Sequence, residues 1–356
     1  MIAKLFSQGT TMPLYLKIGI TIAASIAISA ALTPLVKRFA AKVGAIDLPD
    51  ESRRIHLNPT PRLGGLAIFI AFCACVLLFA DIDKQVRGIL IGSIVIVAVG
   101  AVDDVKSLPA WFKFLVQIAA ALIAVLHGVV IRTLSNPFSS GAEGVFNLGF
   151  LAIPLTVIWI VAITNSVNLI DGLDGLAVGV SAISSIVMLI ISLMVSDTNA
   201  AVILAALIGA CLGFLPYNFN PAKIFMGDAG ALLLGFVLST LSVLGLSKFY
   251  AAVSFAVPML ALAVPLFDTS FAFMRRLFKG QNPMSPDRSH IHHRLIDMGL
   301  TQVQAVTILY TISAFLGLAA VVLATSNDRR QIYILVLAVA AAAAIIARIY
   351  RGKKSK

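Results

Sequence analysis

Long apolar runs recur along the whole chain, and no other feature restricts its fold as strongly. A window of about 19 residues finds them at roughly 14–36, 63–80, 86–102, 110–131, 150–164, 175–195, 200–217, 230–247, 251–274, 304–325 and 331–350. Runs of this length match the helix that crosses hydrocarbon. Inside hydrocarbon a spanning segment must satisfy its own backbone polar groups, which a helix does. The expectation is an all-α fold, a polytopic membrane helix bundle of about 11 transmembrane helices forming one integral membrane domain over 1–356. Composition agrees: 60% of residues are hydrophobic and 12% charged, against about 25% charged in a soluble domain. Cys73, Cys75 and Cys211 lie inside apolar runs and read as small buried hydrophobes. The first run has the length of a span, with no small-residue cleavage site after a short core, so it reads as a retained helix.

The net charge of +11 would suit nucleic acid, but its distribution argues for a bilayer. With the N-terminus outside, only Lys4, Lys17, Lys84, Arg87, Arg132, Lys248, Arg329 and Arg330 remain outside. All other lysines and arginines fall on inner loops, inner span ends and the tail, as cytoplasmic loops require. The tail Arg351 to Lys356 reads as a solvated anchor near anionic headgroups. The long outer stretch 132–149, rich in Ser, Gly and Asn, reads as a hairpin.

Four inner segments are unusually polar. They are Asp103-Asp104; Asn165 to Gly175, with Asn168, Asp171 and Asp174; Tyr217 to Gly230, with Asn218, Phe225 and Asp228; and Pro286 to Leu295, with Arg288, His290, His292, His293 and Arg294. Ionisable groups bordering hydrocarbon are expensive and usually functional. Adjacent carboxylates repel, so Asp103 beside Asp104 makes sense where a cation or a shared proton relieves them. Hard oxygen donors suit Mg²⁺, which takes one or two carboxylates plus substrate phosphates. Arginine and histidine suit diphosphate oxygens. Together the segments describe a metal-assisted, cytoplasm-facing cleft for a phosphorylated substrate.

The order of the segments is specific. Pro61-Arg62-Leu63-Gly64-Gly65, Asp103-Asp104, Asn165 to Gly175, Phe225 to Gly230, Pro265-Leu266-Phe267-Asp268-Thr269 and His290 to Arg294 follow one another over nearly the whole chain. In this the chain resembles the polyprenyl-phosphate N-acetylhexosamine-1-phosphate transferases, the superfamily that includes the phospho-MurNAc-pentapeptide translocase. The resemblance implies transfer of a sugar-1-phosphate from a UDP-sugar to a polyprenyl phosphate, with release of UMP. It implies Mg²⁺, with Mn²⁺ as a substitute, held by Asp228 and Asn168. It implies active-site acids at Asp171 and Asp174, a hydrogen bond from Asn218 and stacking by Phe225 on the uracil. The loop with Arg288, His290, His292, His293 and Arg294 would meet the diphosphate and sugar. Asp103 and Asp104 would activate or position the lipid phosphate. The expected partners are UDP-GlcNAc, undecaprenyl phosphate and the lipid bilayer of a bacterial inner membrane, with no nucleic acid and with a homodimer left open.

Plainer readings stand beside these. Asp103-Asp104 also suits an acidic turn, Asp171 and Asp174 a Gly-Asp turn, and Asp228 the cap of the next helix. Gly64-Gly65 suits tight helix packing as well as substrate contact. Asp268 reads equally as an acid satisfied within the bundle. His-x-His-His lacks the cysteine partners and spacing of a closed zinc site. Two rival functions remain at this level. A proton-coupled transporter would place its carboxylates near the midplane within inverted repeats, and no repeat is evident. A phospho-MurNAc-pentapeptide transferase would carry three consecutive histidines, an aromatic residue and a glutamate where His290 to Arg294 stands.

Overall fold

The computed structural model describes residues 12–47, 59–135, 145–246, 259, 261–278 and 291–325. The helices are α1 (Leu14–Lys42), α2 (Gly65–Phe79), α3 (Lys84–Val105), α4 (Ala110–Leu126), α5 (Ala152–Ile170) and α6 (Leu176–Met194). They continue with α7 (Thr198–Asn218), α8 (Gly227–Leu246), α9 (Ala263–Phe278), α10 (Ile291–Asp297) and α11 (Gln302–Thr325). Seven of the described helices are long and apolar enough to cross a membrane, and α2 and α4 are shorter apolar helices. The fold is therefore a multi-pass helix bundle. The run at 331–350 lies outside the described residues. The strand pairing expected of a hairpin in this stretch is present: Thr133–Ser135 pairs antiparallel with Val145–Asn147.

Several helices start on side-chain caps. The Asp83 carboxylate accepts from the Val86 N–H at 2.8 Å at the start of α3. Asp197 does the same for the Ala200 N–H at 3.1 Å in α7. Each cap satisfies one of the donors that a helix N-terminus leaves without an internal partner.

Small residues set how closely the helices pack. Ser25 and Ser29 of α1 donate to the Ala206 and Ala210 carbonyls of α7, at 2.7 and 2.8 Å. A Cβ at Gly209 or Gly213 would lie 2.5 Å from an α1 carbonyl oxygen. In lipid, where apolar surface gains little by leaving its solvent, such close contact is what holds helices together.

Helix α8 is the axis of the bundle. It packs on α2, α3, α5 and α6, and its core residues Leu233, Leu234, Phe236, Val237 and Leu238 are fully covered. Gly65 of α2 lies where a Cβ would be 2.1 Å from the Gly230 nitrogen, and Gly100 of α3 where it would be 2.5 Å from the Ala229 Cα. Two neighbouring helices thus reach the first turn of α8 because they carry no side chain there. Gly65 is thus packed tightly, as one of its two readings expected.

The expected boundaries shift at one end of the bundle. The Asn165 to Ile170 segment was expected in a loop, but α5 continues through Ile170. The reason is local. Asn165 and Ser166 donate back to the carbonyls of Val161 and Ala162 within the same helix, so polar side chains do not force it to end. Asp103 and Asp104 likewise sit in the last turn of α3, and His292 to Arg294 sit on the short helix α10.

Candidate active site

The ends of α3, α5 and α7 and the starts of α4, α6 and α8 meet at one end of the bundle. A backbone zipper draws the Pro61 to Gly65 motif to the Phe225 to Gly230 motif. The Phe225 N–H donates to the Pro61 carbonyl at 2.8 Å, the Phe225 carbonyl accepts from Gly64 N–H at 3.0 Å, and the Met226 carbonyl accepts from Gly65 N–H at 2.8 Å. Arg62 is thereby held beside the start of α8.

Asp104 forms the hub. Its Oδ1 accepts from the Asp228 N–H at 2.9 Å and its Oδ2 from the Ala229 N–H at 3.2 Å. Arg62 Nη2 lies 3.5 Å from the same Oδ1, and Arg62 Nη1 lies 3.6 Å from Asp47 Oδ1. The buried carboxylate thus caps α8, where the helix dipole favours negative charge. Asp228 itself, in the first turn, directs its side chain to Lys113. Gly227 makes the turn possible: its φ is +73°, and a Cβ there would lie 2.3 Å from Asp104 Oδ2.

Asp103 faces the other way. Its Oδ1 accepts from the Leu108 N–H at 2.6 Å, and its Oδ2 meets Lys113 Nζ at 3.0 Å. Lys113 Nζ also lies 2.8 Å from Asp228 Oδ2. One ammonium therefore bridges two of the expected acids. Sequence reasoning had counted Lys113 only as an inner-side charge. The available signal was its place ten residues after Asp103, on a helix whose Trp111, Phe112, Phe114 and Leu115 are exposed. A surface of that kind faces lipid, and a lysine on it carries charge from the bilayer edge to the acid cluster.

Asp171 follows the last residue of α5. Burial, then the negative charges of Asp228 and Asp104, raise its carboxyl to about 7, against the opposing pull of Arg62. Asp171 therefore shares the electrostatic environment of the α3 and α8 acids. Asn168 lies three residues earlier on the same helix, its carbonyl accepting from the Asp171 N–H. Asp174 is turned toward the next loop, where its Oδ2 accepts from Asn220 Nδ2 at 3.0 Å and from the Ala222 N–H at 2.9 Å.

Asn218 is buried at the end of α7. It accepts from the Gly175 N–H at 3.2 Å and donates to the Ile224 carbonyl at 3.1 Å, tying the Asp174-Gly175 turn to the segment that holds Phe225. Phe225 is partly exposed beside that turn. From the other side comes α10. His292 is 2% exposed and covers Gly172, where a Cβ would lie 2.4 Å from its Nε2. The His293 ring sits 4.3 Å from it, centre to centre, and Arg294 follows on the same helix. His290 and Arg288 lie outside the described residues.

Two further residues, unnoticed in the sequence, brace this half. Gln302 accepts from Asn220 Nδ2 at 2.6 Å, and the Tyr310 hydroxyl donates to the Gly175 carbonyl at 2.5 Å. Both stand on α11, and nothing in the local pattern around them marks them out.

Asp103, Asp104, Asp171 and Asp228 thus converge with Arg62 and Lys113, and the histidine-bearing helix closes on Gly172. Fold and site define a polytopic membrane protein with an acid- and cation-lined centre at one end of its bundle. The chain belongs to glycosyl transferase family 4, whose profile matches residues 86–246. It is 42% identical over 305 residues to a Bacillus subtilis protein named "probable undecaprenyl-phosphate N-acetylglucosaminyl 1-phosphate transferase", covering 85% of this chain and 84% of that one. It is 37% identical to the decaprenyl-phosphate N-acetylglucosaminephosphotransferase of Mycolicibacterium smegmatis, over 78% of this chain and 75% of that one. A phospho-N-acetylmuramoyl-pentapeptide-transferase of Staphylococcus aureus is 33% identical, over 81% and 92%.

Proposed function

We propose that this protein transfers GlcNAc-1-phosphate from UDP-GlcNAc to undecaprenyl phosphate and releases UMP, at the cytoplasmic face of a bacterial inner membrane. The product would start a cell-surface glycan such as a teichoic acid or O-antigen. The observation that carries the reading is the interlocking of Asp103, Asp104 and Asp228 through Lys113 and the first turn of α8. Two names among the relatives support the choice of donor.

In the proposed reaction an oxygen of the lipid phosphate attacks the sugar-side phosphorus of the donor. A new P–O–P linkage forms, and the bond to the UMP oxygen breaks. Such a transfer asks the protein mainly for positioning and charge stabilisation. Lys113 and Arg62 offer cationic contacts to the incoming lipid phosphate. Asp103 holds Lys113 and Asp104 holds Arg62, so each cation has a fixed place. Phe225 offers a face to the uracil, with Asp174 and Asn218 shaping the turn beside it. His292, His293 and Arg294 approach the same turn with donors for diphosphate and sugar oxygens.

The chemistry of the site's oxygen donors would also suit a divalent cation. All the candidate donors are hard oxygens, and Asp103 and Asp228 already converge on one cation, the Lys113 ammonium. Asp228 and Asn168 would hold Mg²⁺, which needs only one or two carboxylates besides phosphate oxygens. When bound, it would neutralise negative charge on the diphosphate.

Product formation by purified protein from UDP-GlcNAc and from UDP-MurNAc-pentapeptide, with undecaprenyl phosphate as acceptor, tests the reading. UDP-GlcNAc should be used and the pentapeptide donor ignored. Preference for the pentapeptide donor would move the protein to the other branch, and UMP release without lipid phosphate would sink the transferase reading. Sidedness is tested by cysteine labelling after removal of Cys73, Cys75 and Cys211. A single cysteine placed in 280–289 should resist impermeant reagent in intact cells, and labelling from outside would place the site on the wrong face.

A further inference from the structure

Asp268 belongs to none of the contacts described above. It stands on α9, 2% exposed, and its Oδ1 accepts from the Ile291 N–H at 2.9 Å. Ile291 is the first residue of α10. Its N–H is one of the donors that a helix start leaves without an internal partner, and a carboxylate acceptor makes the bond charge-assisted. The next three residues are His292, His293 and Arg294. His292 rests on Gly172, between Asp171 and Asp174 in sequence.

The far end of α10 is held differently. A Gly299 turn with φ +90° leads into α11, and Gln302 of α11 holds Asn220, which holds Asp174. The short helix is thus fixed at its start by α9 and at its end by the network around Asp174. A helix of two turns has little stability of its own, so its position depends on these attachments.

We infer that Asp268 is a positioning residue: its carboxylate anchors α10 and thereby sets His292, His293 and Arg294 against the Asp171–Asp174 turn, where they would grip the diphosphate and sugar of the donor. This deepens the proposed function and rests on it for the identity of the donor. The role asks first for a hydrogen-bond acceptor at Asp268, with charge only strengthening the bond, which separates it from that of a metal ligand or a catalytic acid.

The test uses full-length protein in detergent with undecaprenyl phosphate and UDP-GlcNAc. Asp268→Ala should raise the KM for UDP-GlcNAc about tenfold, the scale of one buried charge-assisted hydrogen bond, with the KM for lipid phosphate within about twofold. Asp268→Asn keeps an acceptor oxygen of the same reach and loses only the charge assistance, so it should recover most of the donor KM and leave the lipid KM unchanged. Ile291→Pro removes the donor from the other side, at the first helical position, which tolerates proline. It should reproduce the donor KM shift, and combining it with Asp268→Ala should add little. An Asp268→Asn variant as impaired as Asp268→Ala, a shift confined to the lipid substrate, or full additivity of the pair would each overturn the inference.

Hydrogen exchange supplies a readout independent of activity. Amides of 291–297 should exchange faster in Asp268→Ala than in wild type and should remain protected in Asp268→Asn. Unchanged protection in Asp268→Ala overturns the anchor even if that variant loses activity. If the wild type releases no UMP from UDP-GlcNAc, the functional reading falls, and the exchange experiment still decides the anchor.

Discussion

Replacing Asp228 with alanine should lower kcat by about 10²–10³, the scale on which loss of one preorganised charge-stabilising group acts. Folding should be nearly untouched. The bond that joins α8 to Asp104 uses the Asp228 backbone N–H, which alanine keeps. Lys113 retains Asp103 as a partner at 3.0 Å. What disappears is the carboxylate proposed as a metal ligand and the charge that centres Lys113. Steady-state rates at saturating Mg²⁺, with a melting curve of the same preparation, check this. Most of the wild-type rate in a normally melting variant would remove Asp228 from the proposed metal site.

Gly227→Ala should cost both stability and activity. Its φ of +73° disfavours any side chain, and the new Cβ would lie 2.3 Å from Asp104 Oδ2. The left-handed conformation alone costs roughly 1–2 kcal/mol in a non-glycine residue. Displacing Asp104 would also break its bonds to Asp228 and Ala229, and a buried polar group left unsatisfied costs about 1–3 kcal/mol. The expected result is a clearly lower melting midpoint and a rate reduced by at least about tenfold, since displacements of an ångström at an active site are expensive. Gly19→Ala, on α1 with nothing within 4 Å of the added carbon, is the matched control and should behave as wild type. Equal behaviour of the two variants would mean that Asp104 is not held as described.

Much of the membrane character was legible because it depends on length and hydropathy alone. The apolar runs around α1, α3, α5, α6, α7, α8 and α11 became helices of spanning length. The 133–147 hairpin followed from a local excess of turn residues. Helix ends were less legible. Asn165, Ser166 and Asn168 look like loop residues, yet two of them return their side-chain hydrogen bonds to their own helix. Hydropathy cannot distinguish a polar residue that leaves a helix from one satisfied inside it.

The candidate acids were legible as types because an aspartate at the edge of hydrocarbon is costly wherever it occurs, and Asp103, Asp104, Asp171 and Asp228 all lie at helix ends. Their partners were not legible. Lys113 looked like a topology charge until α4 laid it between Asp103 and Asp228. Arg62 reached Asp104 because Gly64 and Gly65 pair with Phe225 and Met226, far along the chain, and because Gly65 and Gly100 admit no side chain against α8. Local composition sets which segments enter the membrane and which residues resist it. Which acid faces which cation depends on contacts of a few ångströms between residues far apart in the chain, and those exist only once the helices have packed.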